Sequence, residues 1–317
     1  MGAVTPLEAA GAAVPWFDAD RVVALLPMSA AIDALEAALV AGLDPAAGPP
    51  RVIVDTEHGQ LLMMPAESVG RVGVKLVTVA PANADRGLPR IQGIYVLMDG
   101  RTLTPVALLD GIAVTSLRTP AMSAVAVRHL AVAGAAVLVV FGTGPQAWGH
   151  VEAVRAVRPV TEVVVVGRDS GRTAAFVDRV AAAGVRAAAG GPESVAQADV
   201  VVCATTSGVP LFDGALVPEH ACVVAVGSHE PARRELDAAL MGRATVVVED
   251  VATALREAGD VVMAVDEGVL DRSALVPVAD LVTGRVGVDT GRPSVFKSVG
   301  MAWQDLVAAT EIRRRSG

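Results

Sequence analysis

Short apolar runs, rich in valine, recur through the second half of the chain. "AAVLVVF", "TEVVVVG", "ADVVVCAT", "ACVVAVGS" and "ATVVVED" are separated by Ala-rich segments with helical patterning. Unbroken apolar runs of this length suit strands buried on both faces, and crossovers of roughly 10 to 15 residues predict βαβ units in a parallel sheet. The first half has another texture. Between Arg51 and about Asp110, "RVIVDT", "QLLMMP", "VGVKLVTVA", "IQGIYVLMDG" and "TLTPVALL" are separated by "EHG", "ESVGR", "PANADRGLP" and "DG". Those separators are hairpin and loop chemistry, so an antiparallel meander is expected. Residues 1 to about 45 read as helical, with Ile32, Leu35, Leu39 and Leu43 near helical spacing. "IAVTSLRTPAMSAVAVRHLAVAG" reads as a helix closed by Gly134, and "SVGMAWQDLVAATEIRRR" as a last helix.

Composition narrows the class. The 317 residues are 53% hydrophobic but only 3% aromatic, so the core is built from Val, Leu, Ala and Ile. A net charge of −8 argues against nucleic acid or an anionic membrane as partner. Arg313, Arg314 and Arg315 form the only basic run. Cys203 and Cys222 fit no zinc spacing or disulfide framework, so no metal site and a reducing, cytoplasmic setting are expected. No basic region precedes an apolar core at the N-terminus, so no secretory leader is expected.

"VVFGTGPQAWGH" carries the first specific chemistry. In a chain with 31 glycines a G-x-G-x-x-[GA] pattern arises by chance about once, so its position decides its meaning. Gly142, Gly144 and Ala147 follow the first strand of the βαβ series and open a helix. There Gly142 allows the tight turn, Gly144 lets the backbone approach a pyrophosphate, and Ala147 allows close packing. The helix N-terminus offers free N–H groups to the phosphates. The next strand ends "VVVVGRDSGR", with Arg168 where NAD enzymes usually carry an acid. Arg168, with Ser170 or Arg172, suits a 2′-phosphate, so NADP is favoured over NAD; a solvated turn arginine is the alternative.

The meander and the helix after it hold a sparse set of cations: Arg51, Lys75 and Arg118. A lysine inside a Val/Leu strand is costly unless it is paired or functional, and an arginine fork suits a carboxylate. An internal ion pair is the plain alternative for each.

Seven segments taken together resemble a known family. "PRVIVDT", "VGVKLVTVAPANADRGLP", "SLRTPAMSAVAVRHLA", "VVFGTGPQAWGHVEAV", "VGSHEPARRELD", "EAGDVV" and "FKSVGMAWQDLVAA" occur in the order seen in the ornithine cyclodeaminase/mu-crystallin family, across about residues 50 to 310. The resemblance implies an α/β protein with a Rossmann-type doubly wound parallel sheet and an α+β N-terminal domain. The substrate-binding and dimerisation domain would span 1–118, joined by the C-terminal helix 299–317, and the dinucleotide domain 119–298. It implies a homodimer. Arg51, Lys75 and Arg118 would hold the carboxylate of an α-imino or α-amino acid, with Lys75 transferring the proton. Thr119, Gly142, Thr143, Gly144 and Gln146 would touch the cofactor phosphates, and Thr205, Val226 and Gly227 would approach the nucleotide and nicotinamide.

Two departures matter. Where cyclodeaminases carry an aspartate for the substrate's side-chain amine, this chain has His229, a candidate general acid or an idle loop residue. "RTPA" replaces the commoner "RTAA", with Pro120 expected near a helix start. The sequence therefore points to an NADP-dependent reductase of α-imino acids or the reverse amino-acid dehydrogenase. A redox-neutral ornithine cyclodeaminase and a non-catalytic NADP-dependent binding protein are the alternatives.

Overall fold

The computed structural model describes residues 13–68 and 70–317. The helical expectation for residues 1–12, and that of no leader, lie outside these. The chain opens with β1 (Trp16–Phe17), α1 (Ala19–Leu25) and α2 (Met28–Val40), then the meander β2 (Val52–Thr56), β3 (Gly59–Ser68), β4 (Arg71–Val79), β5 (Ile91–Asp99) and β6 (Pro105–Asp110). These strands form one sheet in the order β1-β6-β5-β4-β3-β2, antiparallel except for β1 against β6. "PANADRGLP" contributes a short 3-10 turn, Pro81–Arg86. Asp110 ends β6 and caps α3 (Gly111–Leu130), accepting from the N–H groups of Ile112 and Ala113.

The second half runs β7 (Val137–Phe141), α4 (Pro145–Val157), β8 (Glu162–Val166), α5 (Ser170–Ala182), β9 (Arg186–Ala189), β10 (Val200–Cys203) and β11 (Cys222–Ala225). It continues α6 (Ala238–Arg243), β12 (Thr245–Val248), α7 (Val251–Glu257), α8 (Gly259–Asp266), β13 (Val276–Pro277), α9 (Val278–Val282), β14 (Ser294–Lys297) and α10 (Ala302–Arg315). Eight parallel strands form the sheet β13-β12-β14-β11-β10-β7-β8-β9. Strand order reverses between β7 and β10, which leaves a crevice at their carboxyl ends, where ligands bind in open α/β sheets. The α/β architecture and doubly wound sheet follow the sequence reading.

Three local expectations are corrected. Helix α3 ends at Leu130, before Gly134, and Ala131 supplies its C-cap. The last helix begins at Ala302, because "SVFK" is a strand and residues 298–301 are a connecting strap. Pro120 lies in the interior of α3, far from its start. A proline there cannot donate to the carbonyl four residues back. That carbonyl, on Ser116, and the Pro120 ring instead face Gly149 of α4, where an added Cβ would stand 3.3 Å from Ser116 O and 2.9 Å from Pro120 Cγ. The junction expected at 118/119 falls inside this continuous helix. Among the described residues no single helix is long and apolar enough to cross a membrane.

One face of the meander sheet is covered by α3 and α10. Side chains alternate across strands, so register places Met64, Lys75, Tyr95 and Leu109 in one buried row on that covered face. The other face, with Met63, Val74, Leu76, Ile94 and Val96, is apolar and only partly covered.

Candidate active site

Lys75 enters a buried position because β4 alternates and its inward side includes residues 73, 75 and 77. Its ammonium donates to both oxygens of Asp305 on α10, at 3.1 Å and 2.9 Å, and to Thr115 Oγ1 on α3 at 3.0 Å. One turn along α3, Arg118 donates through Nε to Asp305 Oδ1 at 3.2 Å and through Nη1 to Gln304 Oε1 at 2.8 Å. Residues three apart share a helix face, which brings Thr115 and Arg118 to the same carboxylate. Lys75 is 2% exposed, Arg118 4% and Asp305 0%. Burial lowers the Lys75 pKa to about 8; the Asp305 charge opposes that shift and the Arg118 charge adds to it. Beside Lys75, the Tyr95 hydroxyl is buried without a hydrogen-bond partner among the described residues. Burial, then the Asp305 charge, holds its pKa well above the ordinary phenol value.

Arg51 reaches the same region from the foot of β2. Its Nη2 donates to the carbonyls of Val299 and Gly300, at 3.1 Å and 2.8 Å, and its Nε pairs with Glu257 Oε2 at 3.0 Å. The strap 298–301 is shaped by buried Glu249. That carboxylate accepts from Ser298 Oγ and from the N–H groups of Val299 and Gly300, each at 2.9 Å, and from the Gln304 amide. Gly300 sits at φ +77°, a conformation other residues adopt only with strain, and an added Cβ would stand 2.6 Å from Arg118 Nη1. All three sequence-selected cations are thus paired internally. No protein acceptor is found among the described residues for Arg51 Nη1 or Arg118 Nη2, so both forks keep donors for a ligand.

The glycine loop fits a dinucleotide. Gly142 sits at φ +115°, and an added Cβ would come within 2.5 Å of Ala204 O, so only glycine closes the turn. A Cβ on Gly144 would meet nothing within 4 Å, which leaves an open approach. No side chain caps α4, and Pro145 occupies its first turn, so the next N–H groups are free for phosphate oxygens. Ala147 is fully buried, Thr143 packs toward Gly167 and the buried Gln146 Oε1 has no partner. Thr119 lies on α3, which packs against α4. At the β8 exit Arg168, Ser170 and Arg172 are exposed. Asp169 is engaged as the α5 N-cap, accepting from Arg172 N at 2.8 Å.

The neighbouring strand exits are tied together by acids the sequence reading did not assign. Glu235 accepts from Thr205 N at 2.9 Å, Thr205 Oγ1 at 2.7 Å and Gly227 N at 2.8 Å. Burial raises its pKa, against the pull of Lys297. Asp260 accepts from Glu235 N and Leu236 N and pairs with Lys297 at 2.9 Å, while Lys297 donates to Ser228 O at 2.6 Å. These bonds fix the exits that hold Thr205, Val226 and Gly227. His229 follows on the same loop and is exposed. Its ring keeps solvent contact although neighbouring atoms crowd it; that crowding, and then the Arg51 charge, lower its pKa.

The structure therefore gathers Lys75, Arg118 and Arg51 around Asp305 and the strap, and sets the cofactor candidates along the sheet crevice. Arg168, Ser170 and Arg172 stand apart at its edge. Asp305, Gln304, Glu249, Glu235, Asp260 and Lys297 were missed. "EAGDVV" and "FKSVGMAWQDLVAA" contain four of them, and the available signal was buried charge inside apolar patterning. Among the described residues no cluster of His, Cys, Asp and Glu could hold a metal ion.

A crevice that fits a dinucleotide and a buried lysine–arginine–carboxylate cluster suit a cofactor-dependent oxidoreductase. The chain belongs to the ornithine cyclodeaminase/mu-crystallin family, whose profile matches residues 17–316. It is 36% identical to a Delta(1)-pyrroline-2-carboxylate reductase of Bacillus thuringiensis subsp. konkukian, over 80% of each chain. It is 31% identical to an alanine dehydrogenase of Archaeoglobus fulgidus, over 92% of this chain and 91% of the other. The Thermococcus litoralis Delta(1)-pyrroline-2-carboxylate reductase, solved with NADH and L-proline, superposes with a TM-score of 0.88 at 26% identity, covering 95% of this chain and 97% of that one.

Proposed function

We infer that the chain is an NAD(P)-dependent oxidoreductase that reduces the C=N bond of an α-imino acid, of the cyclic ketimine type, and runs the reverse amino-acid oxidation. The observation that carries this reading is the buried Lys75, held by Asp305 next to two arginine forks with free donors. Substrates of the two pyrroline-carboxylate reductases and the alanine dehydrogenase share an α-carboxylate and an imine or amine carbon. Arg51 Nη1 and Arg118 Nη2 bind that carboxylate. Held this way, the adjacent carbon would be restricted in position, and such positioning is worth several kcal/mol. The nicotinamide supplies the hydride. Lys75 donates one ammonium proton to the imine nitrogen, so hydride and proton together convert C=N to CH–NH, and neutral Lys75 is reprotonated from solvent.

For the cofactor, NADPH is our preference. Asp169, the one acid at the β8 exit, caps α5, while Arg168 and Arg172 remain exposed there for a 2′-phosphate. Arg168→Ala tests this through the KM values of the two cofactors. The partly covered apolar face of the meander sheet supports a homodimer, since contiguous apolar patches of that kind mark association sites. Free, buried Cys203 and Cys222 accord with a cytoplasmic setting.

His229 disfavours the redox-neutral cyclodeaminase alternative, because a cationic side-chain amine calls for an anion there. The deciding experiment is a panel of ketimines, amino acids and ornithine with each cofactor, following nicotinamide absorbance and ammonia.

A further inference from the structure

Asp305 is engaged twice and is fully buried. It takes a bidentate bond from Lys75 and a second from Arg118 Nε, while Gln304, its neighbour in sequence, takes Arg118 Nη1. Gln304 in turn donates to Glu249, the residue that shapes the 298–301 strap on which Arg51 is anchored. One turn at the start of α10 therefore sets the geometry of both the proton donor and a carboxylate fork. A buried lysine with no counter-charge would lose its proton, and a buried arginine with no acceptor on Nε would be free to rotate about its last bonds.

We propose that Asp305 is the shared positioning residue of the reaction, holding Lys75 as an ammonium donor and orienting the Arg118 fork so that Nη2 is left for the substrate carboxylate. It touches neither substrate nor cofactor and acts through the two cations. The pair divides its labour by geometry. The three Lys75 contacts, two to Asp305 and one to Thr115, engage the ammonium, so a hydrogen passes to the imine nitrogen as one of these bonds yields. With Nε and Nη1 of Arg118 committed to α10, the outer Nη2 edge remains for the ligand. This rests on the imine-reductase reading given above and adds to it the residue that keeps the donor protonated. Tyr95, the other titratable side chain in this row, has no bond to Lys75 and does not replace Asp305.

The test is the pH profile of kcat/KM for reduction of a cyclic ketimine carboxylate by NADPH, measured on the full chain. In the wild type, activity falls as pH rises through the Lys75 pKa. Asp305→Asn removes the charge that raises that pKa, so the falling limb should move down by about one pH unit. KM for the imino acid should rise about tenfold, with NADPH affinity held within about twofold. Thr115→Val removes a neutral bond to the same ammonium and should leave the limb within about 0.3 unit. A limb that stays in place in Asp305→Asn, or that moves equally in Thr115→Val, overturns the proposal. Should Asp305→Asn fail to fold, Asp305→Glu decides: the retained charge should hold the limb within about 0.3 unit while KM rises, and a limb displaced by a full unit contradicts it. Failure of the underlying reading has a different signature. Lys75→Ala would then keep wild-type activity, whereas an inactive Lys75→Ala with an unmoved Asp305→Asn limb sinks this inference alone.

Discussion

Lys75 Nζ stands 2.9 Å from Asp305 Oδ2, with the lysine side chain 3% and the aspartate 0% exposed. The two residues come from opposite ends of the chain, β4 and α10, and their pairing closes the helical layer over the meander sheet. Breaking one member of a buried pair costs about 3–5 kcal/mol, because the other charge is left uncompensated. Loss of either member alone therefore destabilises the fold.

Lys75→Met should remove the proton donor and lower kcat for imine reduction by about 10²- to 10⁴-fold. Cofactor binding, measured by nicotinamide fluorescence, should be kept, since the Lys75 hydrogen bonds go to Thr115 and Asp305 and not to the glycine loop.

The pH dependence follows from the lowered Lys75 pKa of about 8. Reduction uses the ammonium form, so its rate falls as pH rises through about 8. Oxidation of the amino acid uses the neutral amine, so its rate rises through the same interval. Initial rates in both directions check the opposed signs.

Gly142→Ala should weaken cofactor binding and lower the melting temperature. The residue sits at φ +115°, and the new methyl would strike Ala204 O. Strain of this kind costs about 1–3 kcal/mol. Calorimetry of the apo chain and cofactor titration measure the two effects separately.

Arg168→Ala should raise KM for NADPH about tenfold with KM for NADH nearly unchanged, the loss of one charge-assisted phosphate contact. Equal change for both cofactors would remove the basis for the NADPH preference.

Ile94→Asp on the outer meander face, where Ile94 is 40% exposed, should shift the protein toward monomer in sedimentation analysis. A charge on an apolar association surface costs several kcal/mol when it is buried unpaired.

The parallel sheet was legible where strands were unbroken apolar runs rich in valine, as in β7, β8, β10, β11 and β12. It was not legible in β9, "RAAA", which lacks β-branched residues, or in β14, "SVFK", which ends in a lysine. Lys297 is tolerated because Asp260 neutralises it, and no local pattern reveals that pairing. The same holds at the site. The sequence showed that Lys75 needed a partner or a role, and the structure gives it a partner 230 residues away. On α10 that partner reads as an ordinary polar position. Pro120 was misplaced because the rule for helix starts ignores tertiary packing; the packing against Gly149 explains its position inside α3.

Net hydride transfer to the carbon of an α-imino acid separates imine reduction from redox-neutral cyclodeamination. The most direct measurement is the stoichiometry of nicotinamide oxidised per amino acid formed, with Delta(1)-pyrroline-2-carboxylate as substrate and deuterium at the transferable nicotinamide position. Imine reduction should oxidise one cofactor per proline formed and place deuterium at the α-carbon. Ornithine turned over to proline with ammonia released and no net change in nicotinamide absorbance, alongside no reduction of the imine, would contradict it.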